Sequence, residues 1–476
     1  MQKVNRVIKY DIAVIGSGVS GLTAAVQAVE LGKKVVLLES SRRIGGNWNV
    51  TYGMMAVDSP LSRAQGIYVD AQALVNQEVR LFNYQVDSKL WMDVAKASGE
   101  NVSWLMKQGV EFNEKLEPYT AGDIYAPVFH AWKAGSGPSQ KMLAAFEKLG
   151  GTAMTETKAV ELIMEDGKVK GVLAEKKDGS IIQVDCKAVI CAGGGYAKNP
   201  EMVSRCIGRT DYACRAIAEN DGSTILMCTA VGAKSLYERG NQIVDLIPRE
   251  MKSVNHWLTY IHSRPGSYPF HVTVNQDAER YVDESCTLHL YGFSPAAAYT
   301  QERTYTIYDE EKLKKLEELN DNGVFEKLKS DADKGEAGVF RAGTFEELAE
   351  KLGLDPKRFA ETMERYNGYC DTGEDEEYEK NPEFLQGFYR PPFYGWENGY
   401  QIASTLEGID YNRKMEVISM KNEPIPGLYV AGTDGAKLWR DYYSLGIPGA
   451  CNSNNVYTGR KAAQSAVAYM NQKGED

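Results

Sequence analysis

The chain has 476 residues, 43% hydrophobic and 25% charged, with a formal net charge of −11 and a pI of about 5.3. This balance suits a globular protein of two or three domains and speaks against nucleic acid or an anionic membrane surface as the main partner. No apolar run approaches the roughly 20 residues that span a bilayer, residues 1–10 are too short and polar for a secretory signal, and the eight cysteines form no CxxC pair; a cytoplasmic protein with free thiols is expected.

In chain order, residues 10–15 form a short apolar run with β-branched residues. A glycine turn follows, then an Ala-rich stretch at helical spacing, residues 22–31, closed by Gly32. Residues 34–38 read as a second strand, ending at Glu39. Together they predict a βαβ unit. Residues 188–191 predict a buried strand running into Gly193-Gly194-Gly195, and residues 427–431 another, running into Gly432. Between them, from 241 to 395, the chain becomes rich in Tyr, Glu and Lys. It carries four of the five histidines and two amphipathic stretches, 310–319 and 344–366. Residues 371–379 are acidic and read as a solvated loop. The expected class is α/β: a Rossmann-like dinucleotide domain built from residues 1–240 and 396–476, interrupted by an α+β domain over 241–395.

The glycine turn is Gly16-Ser17-Gly18-Val19-Ser20-Gly21, a GxGxxG between strand and helix. Gly16 makes the tight turn, Gly18 lets the backbone approach a pyrophosphate, and Gly21 lets helix and strand pack closely. The helix N-terminus faces the phosphate charge. Glu39 lies 18 residues past Gly21, positioned to accept from ribose hydroxyls. The next segment favours FAD over a nicotinamide cofactor. Ser40, then Gly45-Gly46-Asn47 and Gly53-Met54, give a glycine stretch suited to the pyrophosphate and ring, while Ala192-Gly193 and Gly432 with Asp434 offer contacts from later strand ends. Gly449-Ala450-Cys451-Asn452 open a predicted helix to Met470, whose first amides would face the pyrimidine edge of the flavin and stabilise negative charge there. No second GxGxxG exists, so a separate electron-donor protein or reductase is expected.

These motifs, with Asp221-Gly222, Gly232-Ala233, Arg280-Tyr281-Val282-Asp283-Glu284 and the stretch Ile425-Pro426-Gly427-Leu428-Tyr429-Val430-Ala431-Gly432, resemble the flavoprotein family of soluble fumarate reductases and succinate dehydrogenase flavoprotein subunits. That family also holds urocanate reductase and 3-ketosteroid dehydrogenases. The resemblance covers nearly the whole chain. It implies that the inserted segment is a capping domain, with the substrate between cap and flavin. Membrane-complex relatives attach FAD to a His near the glycine stretch; the first His here is His130, so non-covalent FAD is expected.

The chain departs from the fumarate reductases at the substrate. Their His-Thr-x-Gly-Gly reads Ser404-Thr405-Leu406-Glu407-Gly408, and their Asn-Arg-Leu-Gly-Gly reads Tyr442-Tyr443-Ser444-Leu445-Gly446. A desolvated dicarboxylate needs charge-assisted partners, so the resemblance implies a substrate other than fumarate, an enone- or enoate-type small molecule. The family's proton-donor position falls at Leu288 or His289. Ketosteroid dehydrogenases place a Tyr before a glycine loop, as Tyr442 and Tyr443 stand here, although a Tyr pair equally suits packing. Candidate catalytic residues are therefore His289, Tyr443, Tyr442 and Arg264, with Arg440 a further cation. The spacing of His256, His262, His271 and His289 matches no common zinc pattern, and no metal is expected. Two other readings stay open: a ketosteroid-type dehydrogenase, and a flavin-binding redox protein without turnover.

Overall fold

The computed structural model describes residues 4–116, 127–210, 212–214, 216–236, 242–249, 269–288, 297–320, 324–435, 437–439, 443 and 447–472. The βαβ unit is present as strand Ile12–Ile15, helix Val19–Glu30 and strand Val35–Leu38. Both strands are entirely buried, as expected for a parallel sheet covered on both faces. They belong to a six-stranded sheet, ordered Glu416–Ile418, Pro424–Val430, Ala188–Cys191, Ile12–Ile15, Val35–Leu38, Thr152–Met154. All pairings are parallel except the first. The strand ends at residues 15, 191 and 430 therefore sit side by side, which brings the three glycine turns together. The last helix, Ala450–Gln472, packs along the first. Its Gly459 permits this: a Cβ there would lie 2.3 Å from Thr23 Oγ1 and 2.4 Å from the Ser20 carbonyl oxygen.

A four-stranded sheet (Val4–Lys9, Ile181–Asp185, Lys168–Lys176, Thr157–Glu165) lies beside the first, and a short pair, Gly53–Met55 with Phe129–Ala131, lies under the glycine stretch. The third large sheet centres on strand Phe393–Thr405. Its first half pairs with Thr304–Asp309 and Val339–Ala342, and its second half with Gln242–Pro248 and Tyr212–Cys214. One strand thus runs straight through position 395, from a separate apolar core around Trp396 and Tyr394 to the main core around Ile402.

Two stretches of the inserted segment are resolved in more detail. The amphipathic stretch 344–366 is two helices, Phe345–Leu352 and Pro356–Thr372. Gly353 ends the first at φ +74°, and Asp355 with Pro356 starts the second, its carboxylate accepting from the Arg358 amide. The acidic segment 371–379 is largely exposed, as expected of a solvated loop, except at Asp375. Asp375 is 3% exposed and forms a two-pronged ion pair with Arg280, at 2.8 and 2.9 Å. Arg280 also holds Glu284, which Lys380 reaches at 3.2 Å; the side chains of Arg280, Glu284, Asp375 and Lys380 are fully buried. The charges cancel within the group, which is what makes their burial tolerable.

Candidate active site: a glycine-walled cavity

A cavity of about 730 Å³ runs along the adjoining strand ends. Gly16, Gly18, Glu39 and Ser40 line one end; Gly46, Asn47, Gly53, Ala192 and Gly193 line its length; Tyr443, Gly449 and Asn452 line the other end. The remaining expected cofactor residues stand behind this wall. A Cβ on Gly21 would lie 1.8 Å from the Gly16 carbonyl oxygen, so that position tolerates no side chain. Gly45 sits at φ +115°, donating its N–H to Ser17 Oγ. Met54 pairs with His130 across the short sheet. Gly432 donates to Thr458 Oγ1, and Ala450 begins the last helix. Asp434 is buried, with its carboxylate accepting from the amides of Gly193 (2.5 Å) and Gly195 (2.8 Å). It ties two glycine turns together; burial, opposed by these N–H donors, pushes its pKa up to about 6.

Glu39 is held at its post. One carboxylate oxygen accepts from Ser17 N (3.0 Å) and Ser17 Oγ (2.5 Å), and the other from Ser41 N (2.7 Å). Beside it, Lys158 is the one cation among the described lining residues, and it is paired with Asp221 at 2.6 Å. Sequence reasoning missed Asn220, whose side chain bonds both Asn47 and the Gly194 carbonyl and so bridges the cavity wall. The signal lay in its place directly before Asp221-Gly222. It also missed Ser17, hidden inside the fingerprint as a spacer.

At the far end, the last helix is docked to the glycine stretch by three bonds. Met55 N donates to Gly449 O at 3.0 Å, Asn452 Nδ2 donates to Gly53 O at 2.7 Å, and Ser453 Oγ donates to Met55 O. Tyr443 lies 9% exposed against Trp439, ring centroids 4.9 Å apart, with its phenol oxygen accepting from Cys451 N–H at 3.2 Å. Burial pushes the Cys451 thiol up to about 11, so it stays protonated. Ala403 and Ser404, from the long strand, also line the cavity. His289, Tyr442, Arg264 and Arg440 lie outside the described residues. His271 is buried, its Nδ1 3.2 Å from Tyr308 Oη in the cap. Among the described residues no group of His, Cys, Asp or Glu could hold a metal.

The wall fits FAD: glycines where a Cβ would clash, a ribose acceptor, and helix N-termini at both ends. Residues 11–447 match the FAD binding domain family. The chain belongs to that family. It is 32% identical to a vinyl phenol reductase of Lactiplantibacillus plantarum, over 98% of this chain and 97% of that one. Its fold superposes on a 3-ketosteroid-Δ4-(5α)-dehydrogenase of Rhodococcus jostii RHA1 with a TM-score of 0.73, 23% identity, and 98% coverage of both chains. A flavocytochrome c3 fumarate reductase in its open conformation gives 0.74 at 21% identity, covering 98% of this chain and 79% of that one. The protein is an FAD-dependent oxidoreductase with the α/β architecture of these neighbours. None of its described helices is long and apolar enough to cross a membrane.

Proposed function

We propose that this flavoprotein reduces the C=C bond of a small, non-dicarboxylate alkene, in the manner its vinyl phenol reductase relative suggests. The observation that carries this is the cavity wall that includes Ala403, Ser404 and Tyr443, where the one cation among the described lining residues, Lys158, is already paired with Asp221. Among the described residues there, a desolvated dicarboxylate would meet no charge-assisted partner. Reduction takes a hydride, which FAD reduced by the donor would supply when bound, and a proton, which the chain supplies. Tyr443 is the proposed donor or oxyanion partner. The Cys451 N–H donating to its oxygen strengthens its own O–H as a donor. His289, Tyr442 and Arg264 complete the proposed catalytic set.

FAD is held non-covalently in this reading. His130, the histidine nearest the glycine stretch, is fully buried, and its two ring nitrogens bond Ser59 Oγ (2.6 Å) and Val128 O (2.8 Å). Reducing equivalents come from a separate donor protein in the cytoplasm. The free state of all eight cysteines supports a reducing compartment, including Cys191 and Cys228 with sulfurs 3.6 Å apart. The test is anaerobic. Enzyme bleached with dithionite should regain its yellow colour rapidly with 4-vinylphenol and at least 100-fold more slowly with fumarate. Equal rates would overturn the reading.

A further inference from the structure

We propose that Tyr52 and Phe129 seat an aromatic ring carried by the substrate, which makes the substrate class an aryl alkene; the inference rests on the alkene-reductase reading above. Gly53 fixes where this seat lies. Its carbonyl accepts from Asn452 Nδ2 at 2.7 Å, so Gly53 stands at the end of the cavity that the last helix closes. Phe129 reaches the same place from the facing strand. Met55 pairs with Phe129 and Gly53 with Ala131, so the Phe129 ring meets Gly53 on the diagonal. A Cβ at Gly53 would lie 2.6 Å from Phe129 Cζ; the glycine is what admits the ring. Tyr52 directly precedes Gly53, and all three residues line the cavity.

The seat is rigid behind and open in front. The Tyr52 carbonyl accepts from the Trp132 N–H at 2.8 Å. Trp132 packs on Phe112, ring centroids 5.0 Å apart, and on Trp48, at 5.9 Å, and all three rings are buried. Tyr52 itself is 56% exposed, and Val50, which also lines the cavity, is 64% exposed. Large apolar side chains left uncovered in a concave site mark a surface that a ligand covers. A ring is the ligand that gains most there. Ring–ring contacts add attraction beyond the area they bury, because the electron-rich face of one ring meets the electron-poor edge of another. A Tyr whose backbone is pinned loses little freedom in making them. An aliphatic alkene in the same place gains the buried area alone. With the ring against Tyr52 and Phe129, its conjugated double bond lies at the end of the cavity that Tyr443 also lines.

The test compares FAD-loaded wild type with Tyr52→Ala, Tyr52→Phe and Phe129→Leu, using 4-vinylphenol and but-3-en-2-one as oxidants and 4-ethylphenol as a non-reacting ligand. Wild type should favour 4-vinylphenol in kcat/KM. Tyr52→Ala should raise the KM for 4-vinylphenol about tenfold, near 1.4 kcal/mol, and leave kcat within about twofold, as expected when binding common to ground and transition states is lost. Tyr52→Phe keeps the ring and should match wild type, while Phe129→Leu should shift KM in the direction of Tyr52→Ala. The KM for but-3-en-2-one should hold in every variant, and so should FAD affinity, read by flavin fluorescence on titrating the apoproteins. Equal KM changes for the two oxidants or a wild-type preference for but-3-en-2-one would overturn the inference. So would an FAD affinity that falls in step with KM, since the wall would then belong to the cofactor. Should no alkene reoxidise the enzyme, the reductase reading fails, and 4-ethylphenol decides the seat alone: it should raise the melting temperature of wild type and Tyr52→Phe but not of Tyr52→Ala.

Discussion

The dinucleotide half and the cap bury charge by different means. Around the cavity, two buried carboxylates are met by backbone: Glu39 by the amides of Ser17 and Ser41, Asp434 by those of Gly193 and Gly195. In the cap, Glu284 and Asp375 are met by Arg280 and Lys380, whose charged stems also lie over the Tyr366 ring. Backbone donors are fixed by the fold and leave room for a polyanionic cofactor, whereas side-chain cations would fill the space they neutralise. The cap has no cofactor to admit, so its interior closes on itself. A cofactor half built on glycine turns should fail by steric intrusion, and a cap built on ion pairs by loss of a partner.

The strongest test of that contrast is Arg280→Met, which strands Glu284 and Asp375 with Lys380 alone. Breaking a buried network in this way costs about 3–5 kcal/mol. Limited proteolysis should then cut within 269–395 while the flavin absorbance remains; a variant that loses both together would show that the halves are not separable. Gly21→Ala should do the reverse. With 1.8 Å to the Gly16 carbonyl oxygen, the fingerprint must open, and FAD affinity should fall about 100-fold, near 3 kcal/mol, read by flavin fluorescence on dilution while the cap stays resistant to protease.

His130 gives a pH arm to the comparison. Burial lowers its pKa from 6.5 to about 4, and the ring is neutral between Ser59 and Val128 O. A depressed folded value means the unfolded chain binds the proton more readily. Stability is therefore complete above pH 6.5 and lost as pH falls toward 4, by about 2 kcal/mol at pH 5. Thermal melts of wild type between pH 7 and 5 should show this slope, and His130→Gln should flatten it. The smallest effect is at Asn47. Asn47→Ala removes the bond to Asn220 and the one accepted from Ile217 N, and should weaken FAD about fivefold, near 1 kcal/mol, by equilibrium titration of the apoprotein. No change would mean that the Asn220 bridge to Gly194 suffices to hold the wall.

The parts of the molecule legible in the sequence are those where local chemistry and spacing coincide. Gly16, Gly18 and Gly21 announce a strand–turn–helix within a dozen residues, and Ala188–Cys191 reads as a strand because all four residues are apolar and buried. Arg280 and Asp375 are 95 positions apart, and nothing in the composition of 371–379 separates a buried acid from a solvated one. The long strand bulges at Ala403, where Ile243 pairs with Ser404 but Val244 with Ile402; it leaves no compositional trace, since it arises from the register with Gln242–Pro248 rather than from a glycine or proline. His130 was weighed for covalent attachment alone, whereas its partner Ser59 shows it to be a buried strut.

The pairing of the first and last helices also sets an order of assembly. The helix Val19–Glu30 leaves the ribosome long before Ala450–Gln472, the helix that packs along it. Until then the wall around Gly449 and Asn452 is missing, and FAD has only one side of its seat. The cap strands from 272 to 342, by contrast, need only the stretch to 397 to close their sheet. Domains generally fold as units, so the sheet of strands between 272 and 397 can close before the βαβ unit, begun first, receives its last helix.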